Sequence, residues 1–310
     1  MRHESILMFR LGGLGDLLIA LPSIAFVRKK IPAAKLTLVG RAEYASLLQK
    51  TGVVDDVLSW ERREISGLFQ TEPGADGSLT NWVRGFFLAL GWVQEKGSAH
   101  LEAKLRSLGI KESHFIVADL SSRVPLSRFL FDQTAAFFDR EIGPEIPFED
   151  CACLPISAAP VDSGRNRKFV VVHPGSGSEG KCWPLRNFLE IIRRLSERGV
   201  AGLIVTGEAE ERLKPELDGT ALPPHWEWSE SMPLLELASL LARASLYLGN
   251  DSGVTHLAAA CGTTVVALFL KDLEVQWKPF GRTNILSADS VSEISPAIVM
   301  ERISGLLESV

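Results

Sequence analysis

At 310 residues, 46% apolar and 23% charged, the chain is too long for one small core and fits two globular domains of about 150 residues each; a disordered or fibrous chain is excluded. A net charge of -5 excludes a general nucleic-acid binder, which needs a basic face to displace counterions from phosphates. The four cysteines form no C-x-x-C pair, and the C-x-C at Cys151 and Cys153 has no second ligand cluster, so they read as reduced thiols of a cytosolic protein.

The opening MRHESILMFRLGGLGDLL is interrupted by Glu4, Arg10 and Asp16, and so lacks the apolar core of a signal peptide. SILMF reads as a strand entering a glycine loop, DLLIALPSIAFVRKKIP as a helix and KLTLVG as the next strand. Such a unit predicts a parallel sheet with helices on both faces. Residues 60–115 mix helix signals with the polar insertion TEPGADGS. Within them WVRGFFLALGWV, Trp82 to Val93, is the most lipid-like stretch and is too short to span a bilayer. It reads as a buried or half-buried helix, with an interfacial contact to membrane or lipid acceptor as the sharper alternative.

The aperiodic segment CACLPISAAPVDSGRNRK is rich in Pro, Ser and Gly and predicts a linker at about residues 151–168, dividing the chain into domains 1–158 and 159–310. Beyond it KFVVVHPG, VAGLIVTG, SLYLGND and TTVVALF read as strands; RNFLEIIRRLSERG, LLELASLLARA and GVTHLAAACG read as helices closed by glycine or small residues. The expectation is two doubly wound domains facing a central cleft, with ligands at the carboxyl ends of the strands.

Three loops carry chemistry. HPGSGSEGKCWP imitates a nucleotide-triphosphate loop, but Cys182 stands where a hydroxyl would ligate Mg²⁺, and Pro184 suits the first position of a new helix, leaving Lys181 in the loop ahead of it. LGGLGDLL lacks the third glycine of a dinucleotide fingerprint, and its Asp16 is either a first-turn dipole partner or a carboxylate open to a ligand. In LGNDSGVTHLAAACG, Asp251 is the expected N-cap, and Ser252, Gly253, Val254 and Thr255 put N–H groups and hydroxyls at a positive helix end suited to a diphosphate; His256 lies beside them.

In this order, RLGGLGDLLIALPSI, HPGSGSEGKCWP and LYLGNDSGVTHLAAACGTTVVALF resemble glycosyltransferase family 9, the heptosyltransferases of the lipopolysaccharide inner core. The resemblance implies a GT-B fold of two Rossmann-like domains, the first binding acceptor and the second an ADP-sugar, and inverting transfer of heptose with no metal and no cofactor. On this chain it implies Asp16 as general base and Lys181 as the cation at the leaving diphosphate. Ser176, Ser178, Asp251, Ser252, Gly253 and His256 would line the donor site, Glu210 or Glu208 would bind the ribose, and Met232 would lie near the adenine. Leu270-Lys271-Asp272 departs from the family's usual Gly-Pro-Thr, whereas Trp277, Pro279 and Gly281 keep its spacing.

In the acceptor region Arg62 and Arg63 either meet an anionic sugar or form a solvated turn. The implied partners are a nucleotide-sugar donor and a lipid-linked or core oligosaccharide acceptor, with no nucleic acid. The implied location is cytoplasmic, with room for peripheral contact at the inner membrane. Two alternatives stay open: a GT-B transferase using another NDP-sugar, and a non-catalytic nucleotide-sugar binding protein.

Overall fold

A computed structural model describes residues 5–69, 77–93, 95–138, 145–156 and 168–308. The chain divides into two compact units, Met1–Pro155 and Ile156–Val310. Residues 71–76 of the polar insertion and 157–167 of the expected linker lie outside the described residues. The start of that expected linker is helical instead, because Cys151 closes a short helix and is fully buried.

In the first unit the strands are β1 (Ser5–Phe9), β2 (Lys35–Gly40), β3 (Asp56–Ser59), β4 (Leu88–Val93) and β5 (Glu112–Val117). Its helices are α1 (Leu14–Lys30), α2 (Ala42–Lys50), α3 (Arg63–Ser66), α4 (Gly77–Val83), α5 (Glu95–Leu108), α6 (Leu126–Phe138) and α7 (Phe148–Cys151). The sheet runs β3-β2-β1-β4-β5, with every pair parallel. On one face Leu7, Phe9, Val39 and Ala89 pack with Leu101 and Leu105 of α5. Elsewhere α1 meets α6 through an edge-to-face contact of Phe26 and Phe131, 5.4 Å between centroids.

Trp82 to Val93 is not a helix. It holds the end of α4, a turn and β4, a strand that pairs with β1 on one side and β5 on the other. A central parallel strand is covered on both faces, so its sequence is apolar without alternation, and over so few residues that pattern does not distinguish it from a helix.

The second unit contains β6 (Phe169–His173), α8 (Leu185–Glu197), β7 (Ala201–Thr206), α9 (Lys214–Asp218), β8 (Trp226–Glu230), α10 (Leu234–Leu241), β9 (Leu246–Asn250), α11 (Gly253–Ala260), β10 (Val265–Leu270), β11 (Thr283–Ala288) and α12 (Pro296–Glu308). Its parallel sheet is ordered β11-β10-β9-β6-β7-β8. Helix α8 buries Leu185, Phe188, Ile191, Ile192 and Leu195, the spacing of one helical face, and each such side chain contributes about 1.5–3 kcal/mol. Ahead of it Trp183 is buried edge-to-face on Phe188 and donates its Nε1–H to the Ile294 carbonyl at 2.8 Å. This anchors the end of the lysine loop. In each sheet the order reverses beside the first strand, between β1 and β4 and between β6 and β9, so each unit has a switch point where the strand ends leave a crevice.

Candidate functional site

The switch point of the first unit holds Asp16. Helix α1 starts from Gly13, whose N–H donates to Asp16 Oδ2 at 3.0 Å. Gly12 is required here: its φ is +120°, and a Cβ would lie 2.6 Å from that oxygen. The other oxygen, Oδ1, accepts from Arg10 Nη2 at 3.2 Å. Arg10 also donates Nε–H to the Asp16 carbonyl at 2.7 Å and Nη1–H to the Trp92 carbonyl of β4 at 2.9 Å. Arg10 is buried, and this holds its guanidinium below the usual arginine range although the Asp16 charge acts the other way. Asp16 thus stands in the first turn of α1, and its side chain keeps 35% of its surface exposed. Arg62 is exposed and caps α3 just beyond the end of β3; the Arg63 side chain lies outside the described residues.

In the second unit His173 ends β6 and Asn250 ends the neighbouring β9. Asn250 is fully buried, its Oδ1 accepting from Trp183 N–H at 3.0 Å and its Nδ2 donating to the Pro174 carbonyl at 2.8 Å. It therefore ties both ends of HPGSGSEGKCWP to the strand that leads into α11. The loop's functional groups then meet the turn: Ser176 Oγ donates to the Asp251 carbonyl at 2.6 Å, and Lys181 Nζ to Asp251 Oδ2 at 2.7 Å.

Ser252, not Asp251, is the N-cap of α11, accepting from Thr255 N–H at 3.4 Å. Asp251 is instead turned to the lysine. Beneath the turn Tyr247 OH and Thr255 Oγ1 are 3.0 Å apart, and Thr255 Oγ1 donates to the Asn250 carbonyl. Burial drives the Tyr247 phenol above its usual range, so it stays protonated. Gly249 admits that phenol, since a Cβ there would fall 2.2 Å from it. Gly253 opens α11, and His256 is buried in its first turn.

Lys181 closes a single 3-10 turn, Glu179–Lys181, with Pro184 at the cap of α8 and Leu185 as its first residue, one position later than the sequence suggests. Cys182 accepts from Arg212 Nη2 at 3.1 Å; burial pushes its thiol up, against the pull of Arg212. Ser178 and Glu208 are exposed, and Met232 is half-buried in the turn before α10.

Glu210 is turned inward and is 5% exposed. Its Oε2 accepts from Gly207 N–H at 2.9 Å and lies 3.5 Å from His173 Nε2, while His173 Nδ1 is 3.4 Å from Ser252 Oγ. Burial pushes the Glu210 carboxyl up, but the His173 contact and charge, the Gly207 N–H and Arg212 outweigh it and hold the group below the usual glutamate range.

Motif reading missed Arg10, His173 and Asn250. The available signal was position: each is a polar residue at or just past the end of an apolar strand that flanks a switch point. Among the described residues no group of three or more His, Cys, Asp or Glu is arranged to hold a metal ion, and no helix is long and apolar enough to cross a membrane.

The family model of glycosyltransferase family 9 (heptosyltransferase) matches residues 121–302, more than half of the chain. Lipopolysaccharide heptosyltransferase 3 of Escherichia coli is 28% identical over 126 residues, which are 40% of this chain and 37% of that protein. The chain thus matches little more than a third of that relative's length. Among solved structures, E. coli ADP-heptose lps heptosyltransferase II superposes with a TM-score of 0.74 at 17% identity, covering 98% of this chain and 99% of the other. E. coli heptosyltransferase WaaC with ADP gives 0.71 at 19% identity, covering 97% and 99%. These likenesses establish the GT-B fold, two Rossmann-like α/β domains. With that fold, the three ordered loops and the family match over most of the second unit, the chain belongs to glycosyltransferase family 9.

Proposed function

We propose that this chain is an inverting, metal-independent glycosyltransferase that moves heptose from ADP-heptose to a lipopolysaccharide core or related glycan acceptor. The observation that carries the reading is the convergence of Lys181, Ser176 and Asp251 at the amino end of α11. A departing ADP needs counter-charge, and a lysine beside a helix terminus supplies it without a divalent cation.

In this mechanism an acceptor hydroxyl attacks the anomeric carbon while its proton passes to Asp16, and the bond to the diphosphate breaks with its electrons staying on ADP. Displacement from the face opposite the leaving group inverts the anomeric centre. Lys181, Ser176, Ser178, Ser252 and Gly253 receive the diphosphate, with His256 beside them, and Met232 borders the adenine. The ribose contact falls to the exposed Glu208, because the Glu210 carboxylate is already held by Gly207 and His173. Arg62 and Arg63 serve an anionic acceptor sugar, drawn from a lipid-linked or core oligosaccharide on the cytoplasmic side of the membrane.

Calorimetric titration with ADP, UDP and GDP in the presence of a chelator tests the donor, and the anomeric configuration of the product tests the stereochemistry. We expect ADP to bind best and transfer to proceed with chelator present; a clear preference for UDP would remove the heptose reading. Leu270-Lys271-Asp272, where the family usually has Gly-Pro-Thr, favours a second reading in which the same fold takes another NDP-sugar.

A further inference from the structure

We infer that Arg10 is the positioning residue of Asp16, acting as a fork that fixes the carboxylate relative to the sheet. The inference rests on the reading of Asp16 as the general base, and it gives a role to a residue that the sequence analysis left without one. Three features carry it. First, the guanidinium makes two contacts with Asp16 and one with the sheet: Nη2 on Asp16 Oδ1 at 3.2 Å, Nε on the Asp16 carbonyl at 2.7 Å, and Nη1 on the Trp92 carbonyl at 2.9 Å. Second, arginine is rarely buried, yet this one is 7% exposed, and no carboxylate other than Asp16 forms a described ion pair with it. Third, the fork spans the switch point, since it leaves the end of β1 and grips the end of β4.

The consequence is geometric. Gly13 N–H holds Oδ2 and Arg10 holds Oδ1, so neither rotation of the carboxylate nor a shift of the first turn of α1 is free. A base must meet the acceptor hydroxyl within hydrogen-bond reach, and an error of about 1 Å costs about 100-fold in rate. The planar fork matters as well as the charge, because a lysine ammonium is a point donor that cannot span the Asp16 carbonyl, its carboxylate and the Trp92 carbonyl with fixed angles.

The test is a kinetic cycle on the full chain with donor and acceptor saturating. Arg10→Lys is expected to lower kcat about 10- to 100-fold while the donor KM and the affinity for ADP stay within about 2-fold. In an Asp16→Asn background the same substitution is expected to change the residual rate less than about 3-fold, because the base it positions is no longer there. A purely structural role predicts equal factors in both backgrounds, and that result overturns the inference. Should Arg10→Lys not fold, Asp16→Glu keeps the carboxylate but moves it one methylene past the fork, and a full kcat in that variant overturns the inference too. If Asp16→Asn itself keeps full activity, the base assignment fails separately from the claim about Arg10.

Discussion

Lys181 Nζ lies 2.7 Å from Asp251 Oδ2, joining side chains seventy residues apart in sequence. The pair is asymmetric: the lysine side chain is 32% exposed and the aspartate 8%. Asp251 thus depends on Lys181 more than the reverse, and the lysine keeps a solvent-facing side.

Lys181→Met should lower ADP affinity about 10- to 100-fold, the scale of a charge-assisted contact. It should also cost about 1–2 kcal/mol of stability, less than a fully buried pair, because the lysine is partly solvated. Adding Asp251→Asn should return part of that stability but none of the affinity. Urea unfolding and calorimetry separate the two; unchanged ADP binding would exclude Lys181 from the leaving-group site.

Asn250 holds both ends of one loop with one amide, so its substitution leaves partners buried and unsatisfied. Asn250→Leu should cost about 2–4 kcal/mol in urea unfolding. Asn250→Asp keeps the acceptor for Trp183 N–H but cannot donate to the Pro174 carbonyl. It is therefore expected to destabilise the protein despite its near-identical shape, and an Asp variant as stable as wild type would show that the Pro174 contact carries no weight.

Gly175 and Gly177 sit two residues apart in the same loop and should respond differently to alanine. A Cβ at Gly175 would lie 2.0 Å from Glu210 Oε1, whereas nothing stands within 4 Å of one at Gly177. Glu210 is pinned by Gly207 and has little room to retreat, so Gly175→Ala should cost about 1–3 kcal/mol. Gly177→Ala should stay within about 0.5 kcal/mol. Equal midpoints for the two variants would mean that the Glu210 seat is soft.

Glu210 also sets an acid dependence. Its folded pKa lies below the usual 4.5, so the proton binds the unfolded chain more readily. Its stabilisation is then fully present above about pH 4.5 and is lost as pH falls through the lower folded value. Glu210→Gln should flatten the acid side of a plot of unfolding midpoint against pH, leaving neutral and alkaline values parallel to wild type. An acid limb of unchanged slope would assign the sensitivity to other carboxylates.

Local pattern was enough for β1, α1 and β2, and in the second unit for β6, α8, β7, α10, β9, α11 and β10, because each of these strands is a short apolar run bounded by glycine or polar residues and α8 shows a clean helical face. It was not enough for β3, β4, β5, β8 or β11. WEWSE and TNILSA form edge strands, half-exposed and carrying polar residues, while β4 is so evenly apolar that its period is invisible. The pairing that makes each a strand lies in a distant segment, and single-segment periodicity does not report it.

The same division runs through the site. Residue types in sequence made the Asp251 turn a candidate anion site, from donor inventory and helix-end electrostatics, and the family resemblance pointed to Asp16 and Lys181. Tertiary structure alone decided that Ser252 and not Asp251 caps α11, that Lys181 pairs with Asp251, that Glu210 faces inward and that Arg10 grips Asp16. Each of these depends on which strand ends lie side by side, and that is set by the burial of the two sheets, a sum over many weak apolar contacts that no short motif contains.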